Sequence, residues 1–145
     1  MLPSETAELM AEYAQDAVNT ARDKFKIDLD YTLESVDLLD VILESQFAAT
    51  PTGWQLLYRR RPSKRKLRTL SKMWGGYLGE VLRRQWGGQW MTPTDGPFKG
   101  GLTLLVRGTM LSPIAHAHKH LINGSEASVA AYVASLIPIF ARPAQ

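Results

Sequence analysis

Three histidines lie within five residues of this sequence, His116, His118 and His120 in the pattern HAHKH. On a helix the first and third lie four residues apart on one face, where two imidazoles can bind one metal ion. A catalytic zinc site also needs a third protein ligand and an open position. The nearest acid downstream is Glu126, beyond a predicted helix end, and Lys119 raises the electrostatic cost of a cation. A metal-dependent enzyme that uses these histidines is therefore one alternative hypothesis, and no bound metal or cofactor is expected.

Glu80 is the only acid between Glu44 and Asp95. A general base needs a histidine or a second carboxylate nearby, and the sequence nominates neither. Arg83 and Arg84 follow at the i+3 and i+4 positions, which favours a structural ion pair on a helix. The sequence also lacks a serine nucleophile elbow, a Walker loop and a GxGxxG turn. These features predict a protein without catalytic residues, and therefore not an enzyme.

A strongly basic run follows the short apolar stretch from Trp54 to Tyr58. It places seven cations in ten residues: Arg59, Arg60, Arg61, Lys64, Arg65, Lys66 and Arg68. Such a run can bind phosphates, and the rings of Trp54 and Tyr58 could stack on single-stranded bases. No RNP, helix-turn-helix or KH signature accompanies it. Nucleic-acid binding through residues 59–68 is a further alternative.

Charge is distributed unevenly along the chain. Residues 1–50 hold eleven acids and three bases, which gives −8; residues 51–145 hold three acids and fourteen bases, which gives +11, and the whole chain is +3. Either the acidic helices pack beside the basic one and neutralise it, or a charged face is offered to a partner. Six acids on the first two helices are the candidates for such a face: Glu8, Glu12, Asp16, Asp37, Asp40 and Glu44.

The length and composition fit one α+β domain over residues 1–145 with a core of ordinary size. The absence of cysteine excludes disulfides and zinc sites with cysteine ligands. The N-terminal stretch MLPSETAELMAEYAQ has acids where a signal peptide would have lysines, and no run reaches eighteen apolar residues. We therefore expect a cytoplasmic protein with no membrane partner.

The first half of the chain predicts two helices. Ser4 can cap the first, and a signature that begins at Thr32 starts the second, with Val36, Leu39, Leu43 and Phe47 as its apolar stripe and Leu38 and Ile42 widening it. The turn-forming residues 48–53 end the second helix. The stretch from Trp54 to Tyr58 is predicted to be either a brief strand or a helical turn.

The stretch 69–90 predicts the central helix of the fold. Ser63 is its predicted N-cap and Gly87-Gly88 its end. Gly75, Gly76 and Gly79 lie inside it, although each glycine costs about 1 kcal/mol relative to alanine in a helix. Close approach of another backbone would explain them, and Gly79 is therefore predicted to lie at a helix crossing.

The last third predicts a hairpin and two helices. Residues 89–92 and 102–106 are expected to pair, with the second strand possible through residue 110. Ser112-Pro113 opens a helix to about Ile122. Ser125 is then predicted to cap a final helix whose inward residues include Leu136 and Ile137. The expected architecture is four to five helices around the Gly-rich helix with a small antiparallel sheet.

Residues 77–81 read YLGEV, and Gly87, Gly88 and Trp90 follow as GGxW. This motif, with the segment DLDYTLESVDLLDVIL at residues 28–43, resembles a group of small uncharacterised bacterial domains, over about residues 27–92. The resemblance implies a non-enzymatic domain, and some members of that group resemble immunity or accessory proteins of bacterial toxin and secretion systems. The basic run is not part of the pattern, which suggests an interaction surface particular to this chain.

These observations predict a protein that works by binding another protein, with an immunity or accessory role implied by the resemblance. Segregated charge speeds and steers association with a partner of opposite sign. The acidic face would suit a basic partner and the basic run an acidic one, and the sequence does not choose between them.

Overall fold

The computed structural model of the chain describes residues 2–97 and 99–141. Within those residues the chain forms five α-helices and three strands, which confirms the predicted α+β class. In chain order the elements are α1 (Pro3–Thr20), α2 (Ser35–Ala48), α3 (Lys64–Trp86), β1 (Gln89–Met91), β2 (Thr103–Val106), β3 (Thr109–Leu111), α4 (Pro113–Asn123) and α5 (Val129–Phe140). A π-helical turn, Ala21–Phe25, extends α1, and 3-10 turns occupy Gly53–Leu57 and Gly124–Ala127. None of the described helices is long and apolar enough to cross a membrane.

The central helix α3 begins and ends where the sequence predicts. The Ser63 hydroxyl accepts a hydrogen bond from the backbone N–H of Lys66 at 3.1 Å, and Gly87 ends the helix with a φ of 78°. Every residue from Trp74 to Leu82 is buried, because α1 packs on one side of this segment and α4 on another. The single hydrophobic cluster of the described chain therefore forms around α3.

Two glycines of α3, Gly75 and Gly79, allow different neighbouring groups to approach the helix closely. A Cβ on Gly75 would overlap the backbone of Ile114, so the close crossing with α4 lies at this position. A Cβ on Gly79 would instead overlap the indole ring of Trp90. The predicted helix crossing at Gly79 is therefore wrong: this glycine accommodates an aromatic side chain from β1, and the crossing is one turn earlier.

The sheet has the order β1-β2-β3, and both pairs are antiparallel. Trp90 of β1 lies opposite Leu104 of β2, and both are buried. The predicted pairing of the first two strands is confirmed, but the second strand does not continue through residue 110. Arg107 and Gly108, with φ values of 48° and 83°, turn the chain back into β3, since positive φ at both central residues suits a two-residue hairpin.

Three details of the outer helices differ from the predictions. Helix α2 begins at Ser35, whose N–H bonds to the Thr32 hydroxyl at 3.2 Å, so the Thr32 signature caps the turn that precedes the helix. The final helix is capped by Ser128 and not by Ser125, which lies in a 3-10 turn. Leu38 and Ile137 were expected to face the core and are exposed, because the partner helices do not cover their sides of α2 and α5.

Candidate functional site

The three histidines of α4 contact three different helices. The His116 ring stacks on Tyr132 of α5, with centroids 3.5 Å apart. His118 Nδ1 lies 2.9 Å from the hydroxyl of Ser71 on α3. His120 is buried against two carboxylates of α2. Among the residues that the structure describes, no three histidine or acidic side chains are grouped as a metal site would require.

His120 lies between Asp40 and Glu44, so the three side chains do not converge on one point where a metal ion could bind. Its Nδ1 is 3.1 Å from Asp40 Oδ1, without the angle of a hydrogen bond, and its Nε2 is 3.2 Å from Glu44 Oε2. The carboxylates therefore face opposite nitrogens of one ring. This arrangement joins α4 to α2, and it is a structural contact for both acids.

Glu80 connects α3 to β1 through hydrogen bonds. Its carboxylate accepts hydrogen bonds from Arg83 Nε at 2.7 Å and from the indole N–H of Trp90 at 3.0 Å. The hydrogen bond to Glu80 raises the pKa of the Arg83 guanidinium. Arg84 instead lies over the ring of Tyr31 at 3.6 Å, so only one of the two predicted arginine partners is used. Because both of its carboxylate oxygens accept hydrogen bonds, Glu80 has the structural role that the i+3 spacing to Arg83 predicts.

The six acidic candidates separate into two groups. Four are exposed on α1 and α2: Glu8, Glu12, Asp16 and Asp37. Asp40 is mostly occupied, because it accepts hydrogen bonds from the Ser128 hydroxyl at 2.5 Å and from the N–H groups of Val129 and Ala130. Asp40 therefore caps α5, and together with Glu44 it is engaged inside the fold more than it is offered to a partner.

The seven cations of the basic run are all exposed. Arg59 donates to the carbonyl of Ala49, the C-cap residue of α2, at 3.3 Å, and Arg61 donates to the carbonyl of Pro51 at 3.4 Å. Four others, Lys64, Arg65, Lys66 and Arg68, begin α3, where the helix dipole disfavours positive charge and no acid lies in the first turn. Local helix stability therefore does not explain cations at that position.

The 3-10 turn Gly53–Leu57 presents large apolar side chains to solvent directly before the basic run. Trp54 is 70% exposed, Leu57 87% and Tyr58 63%. The rings of Trp54 and Tyr58 contact each other with centroids 5.6 Å apart. Backbone bonds hold the turn, since the N–H of Arg59 donates to the Gln55 carbonyl at 2.9 Å. We call residues 54–61 the apolar-basic surface.

The sequence predicts only part of this surface. The rings of Trp54 and Tyr58 were predicted to be available for base stacking, but the exposure of Leu57 was not predicted, because the periodicity of a short apolar stretch does not show whether it is covered. The turn-forming residues on either side, from Ala48 to Gly53 and then Pro62, were the signal that this stretch lies at the surface.

Comparisons of the chain with protein-family models, with curated protein sequences and with solved structures each found no match.

Proposed function

We propose that this chain is a non-enzymatic binding protein whose apolar-basic surface docks on an acidic partner protein. The observation that carries the proposal is the exposure of Trp54, Leu57 and Tyr58 on one short turn next to Arg59–Arg61. Tryptophan, tyrosine and arginine are the residues most enriched among energetic hot spots of interfaces. Large apolar side chains exposed together on a turn are typical of a surface that is covered by a partner.

The charge of the surface selects the kind of partner. Three exposed arginines directly follow the apolar side chains in the chain, so an acidic protein with an apolar groove would be complementary to this surface. An immunity or accessory role in a bacterial toxin or secretion system is the version of this proposal that the sequence resemblance favours. A cytoplasmic location is also part of the proposal and rests on the cysteine-free composition.

Site-specific photo-crosslinking in the host tests the proposal. A photoreactive amino acid at position 57 should give one discrete crosslinked protein, whereas the same group at Val41, which is 54% exposed on α2, should not. The captured protein, purified, should lose binding by roughly tenfold or more with Leu57→Ser, because burial of a leucine side chain against a partner contributes about 1.5–3 kcal/mol. Val41→Ser is the matched control and should bind normally. Equal crosslinking from both positions, or normal binding by Leu57→Ser, would reject this surface.

Single-stranded nucleic acid is the second candidate, and the exposed pair of rings beside the cations favours it. The two candidates differ in the role of Leu57, which has no ring to stack on a base. Oligonucleotide binding would depend on Trp54 and fall steeply with salt, while Leu57→Ser would leave it unchanged. Fluorescence anisotropy with labelled single strands distinguishes this pattern from protein binding.

A further inference from the structure

A cavity of about 650 Å³ lies between α3, α4 and the segment that leads into β2. Small-molecule sites in proteins typically have volumes of roughly 300–1,000 Å³, so this cavity is large enough for an organic ligand. Four cations line it: Arg68 and Lys72 from α3, Lys99 from the loop and Lys119 from α4. None of the described residues along its walls is an aspartate or a glutamate.

These four cations are not neutralised within the fold. Across residues 2–97 and 99–141, none of them forms a salt bridge with a carboxylate. Like charges around one cavity repel each other, and the repulsion is relieved when an anion enters. The first turn of α4 lines the same cavity through Ser112, Ile114 and Ala115, and the positive end of its dipole adds to the same sign.

His118 brings a polar ring atom to this cavity in a fixed tautomer. The buried Ser71 hydroxyl lies 2.6 Å from the Leu67 carbonyl, to which it donates its one proton, and 2.9 Å from His118 Nδ1. The hydroxyl must therefore accept from His118, so Nδ1 carries a hydrogen. The Nε2 atom is then the ring nitrogen that remains for a ligand.

The remaining walls are largely apolar. Pro97, Leu102 and Ile114 contribute hydrocarbon surface between the cations. A bare inorganic anion would leave this surface without contact, whereas an anion with an apolar body would cover it. The number of cations also favours a dianion, and a phosphate ester carries about −1.5 to −2 charges at neutral pH, against one for a carboxylate.

We propose that this cavity binds a small organic phosphate. The phosphate group would lie among Lys72, Lys119 and His118, and the apolar body against Leu102 and Ile114. Lysine is a common phosphate ligand in proteins, and charge-assisted hydrogen bonds to phosphate are stronger than neutral ones. The site is separate from the apolar-basic surface, so the proposal stands or fails independently of the proposed protein partner.

Isothermal titration calorimetry on the full chain tests the ligand class with three probes. We expect 2-naphthyl phosphate to bind at one site per chain. Inorganic phosphate lacks the apolar body and 2-naphthoate lacks the second charge, and each should bind at least about tenfold more weakly, since affinity needs both features. No heat of binding with 2-naphthyl phosphate up to about 1 mM, a limit of weak affinity, would overturn the proposal. Equal affinity for 2-naphthoate would overturn the assignment to a phosphate.

Paired variants test the location. Lys72→Gln with Lys119→Gln removes two cations from the cavity, and Lys64→Gln with Lys66→Gln removes two from outside it. The first pair should weaken 2-naphthyl phosphate binding by about tenfold or more and the second by less than about twofold, because only the first contacts the ligand. Equal losses in the two pairs would show general attraction to a basic surface and would overturn the site.

An NMR footprint on the unmodified chain keeps the test decisive if the cavity variant fails to fold. Addition of 2-naphthyl phosphate should shift the amide signals of Ser71, Leu102 and Ile114. Shifts that cluster at Trp54 instead would place the probe on the apolar-basic surface and reject the cavity.

Discussion

At the residue scale, Tyr77 holds the segment that precedes α2 against α3. Its hydroxyl accepts from the N–H of Tyr31 at 2.9 Å and lies 2.6 Å from the Ser35 hydroxyl. Ser35 donates its own proton to the Thr32 carbonyl at 2.6 Å, so Tyr77 must be the donor to Ser35. One phenol therefore connects the chain of hydrogen bonds that fixes this segment.

Removal of this phenol oxygen should destabilise the fold. Tyr77→Phe leaves the Tyr31 N–H without its partner in a half-buried position, and a loss of about 1–3 kcal/mol in the free energy of unfolding is expected. Tyr58→Phe removes the same atom from an exposed ring and should change stability by less than about 0.5 kcal/mol. Urea unfolding followed by tryptophan fluorescence measures both. Equal effects of the two variants would contradict the structural role of Tyr77.

His116 should make stability depend on pH. Burial against Tyr132, and then the charge of Lys119, lower the pKa of this ring from its ordinary value of 6.5. A lowered folded-state pKa means that the unfolded chain binds the proton more tightly. The contribution of His116 to the free energy of unfolding is therefore present above pH 6.5, and it is lost as the pH falls through the folded-state pKa of this ring.

The check is the free energy of unfolding of His116→Phe, which keeps a ring on Tyr132 and does not titrate. Its stability should fall less steeply than that of the unmodified chain from about pH 7 to pH 5. His118→Gln serves as the control on the same helix, because it removes a histidine that does not stack on Tyr132. An unchanged slope in His116→Phe would remove His116 as the source of the pH dependence.

At the scale of elements, Gly79 sets how closely β1 approaches α3. Any Cβ at this position overlaps the Trp90 indole, which is also held by its hydrogen bond to Glu80. Gly79→Leu should therefore cost several kcal/mol, above the roughly 1–3 kcal/mol that is typical of overpacking, because the ring cannot move without the loss of that bond.

A double-mutant cycle separates steric overlap from a general helix effect. Gly79→Ala should destabilise the unmodified chain and cost less in a Trp90→Phe background, since the smaller ring leaves room for a methyl group. Thermal unfolding of the four proteins gives the coupling energy. Additive effects would mean that Trp90 is not what excludes a side chain at Gly79.

Asp40 was a candidate for partner binding, and its contacts predict a structural effect instead. Asp40→Ala removes acceptors from the first turn of α5 and should lower the free energy of unfolding by about 2 kcal/mol. Asp37→Ala, on the exposed face of α2, removes only a favourable charge from the first turn and should cost less than about 1 kcal/mol. Chemical denaturation of both variants measures this difference. Equal stability of Asp40→Ala and Asp37→Ala would contradict the structural role, and Asp40 would remain a candidate for partner binding.

The same contacts show what the sequence could predict. The caps of α3 and the Ser112-Pro113 start of α4 depend on residues next to the helix, so local patterns located them. The start of α5 depends on Asp40, 88 residues away from Ser128, and no local pattern records that contact. The metal-site alternative grouped the histidines for the same reason, because the sequence does not show that their contacts lie on three other helices. The predicted burial of Leu38 and Ile137 is wrong, because helical spacing does not show which side of a helix a neighbouring element covers.

At the scale of the whole molecule, the two charged regions do not neutralise each other. Among the described residues, none of the cations of the basic run forms a salt bridge with an acid of the first fifty residues, and His120 joins the two regions through Asp40 and Glu44. The acids of α1 and the cations that begin α3 face solvent. This separation supports the hypothesis that a charged face is offered to a partner.

If the cations exist for binding, their removal should stabilise the fold. Lys64 occupies the first position of α3, and three more cations follow among the first five residues of the helix, so both the dipole and the neighbours disfavour it. Lys64→Glu should raise the free energy of unfolding by about 0.5–1 kcal/mol, and Lys64→Gln by less. The same series should slow association with the acidic partner, with Lys64→Glu the slower of the two, because charges at the rim of an interface act mainly on the association rate. Thermal melts and stopped-flow association measure the two effects. A loss of stability across the series would show that Lys64 has a structural role. Its unfavourable position at the start of α3 would then no longer support partner binding by these cations.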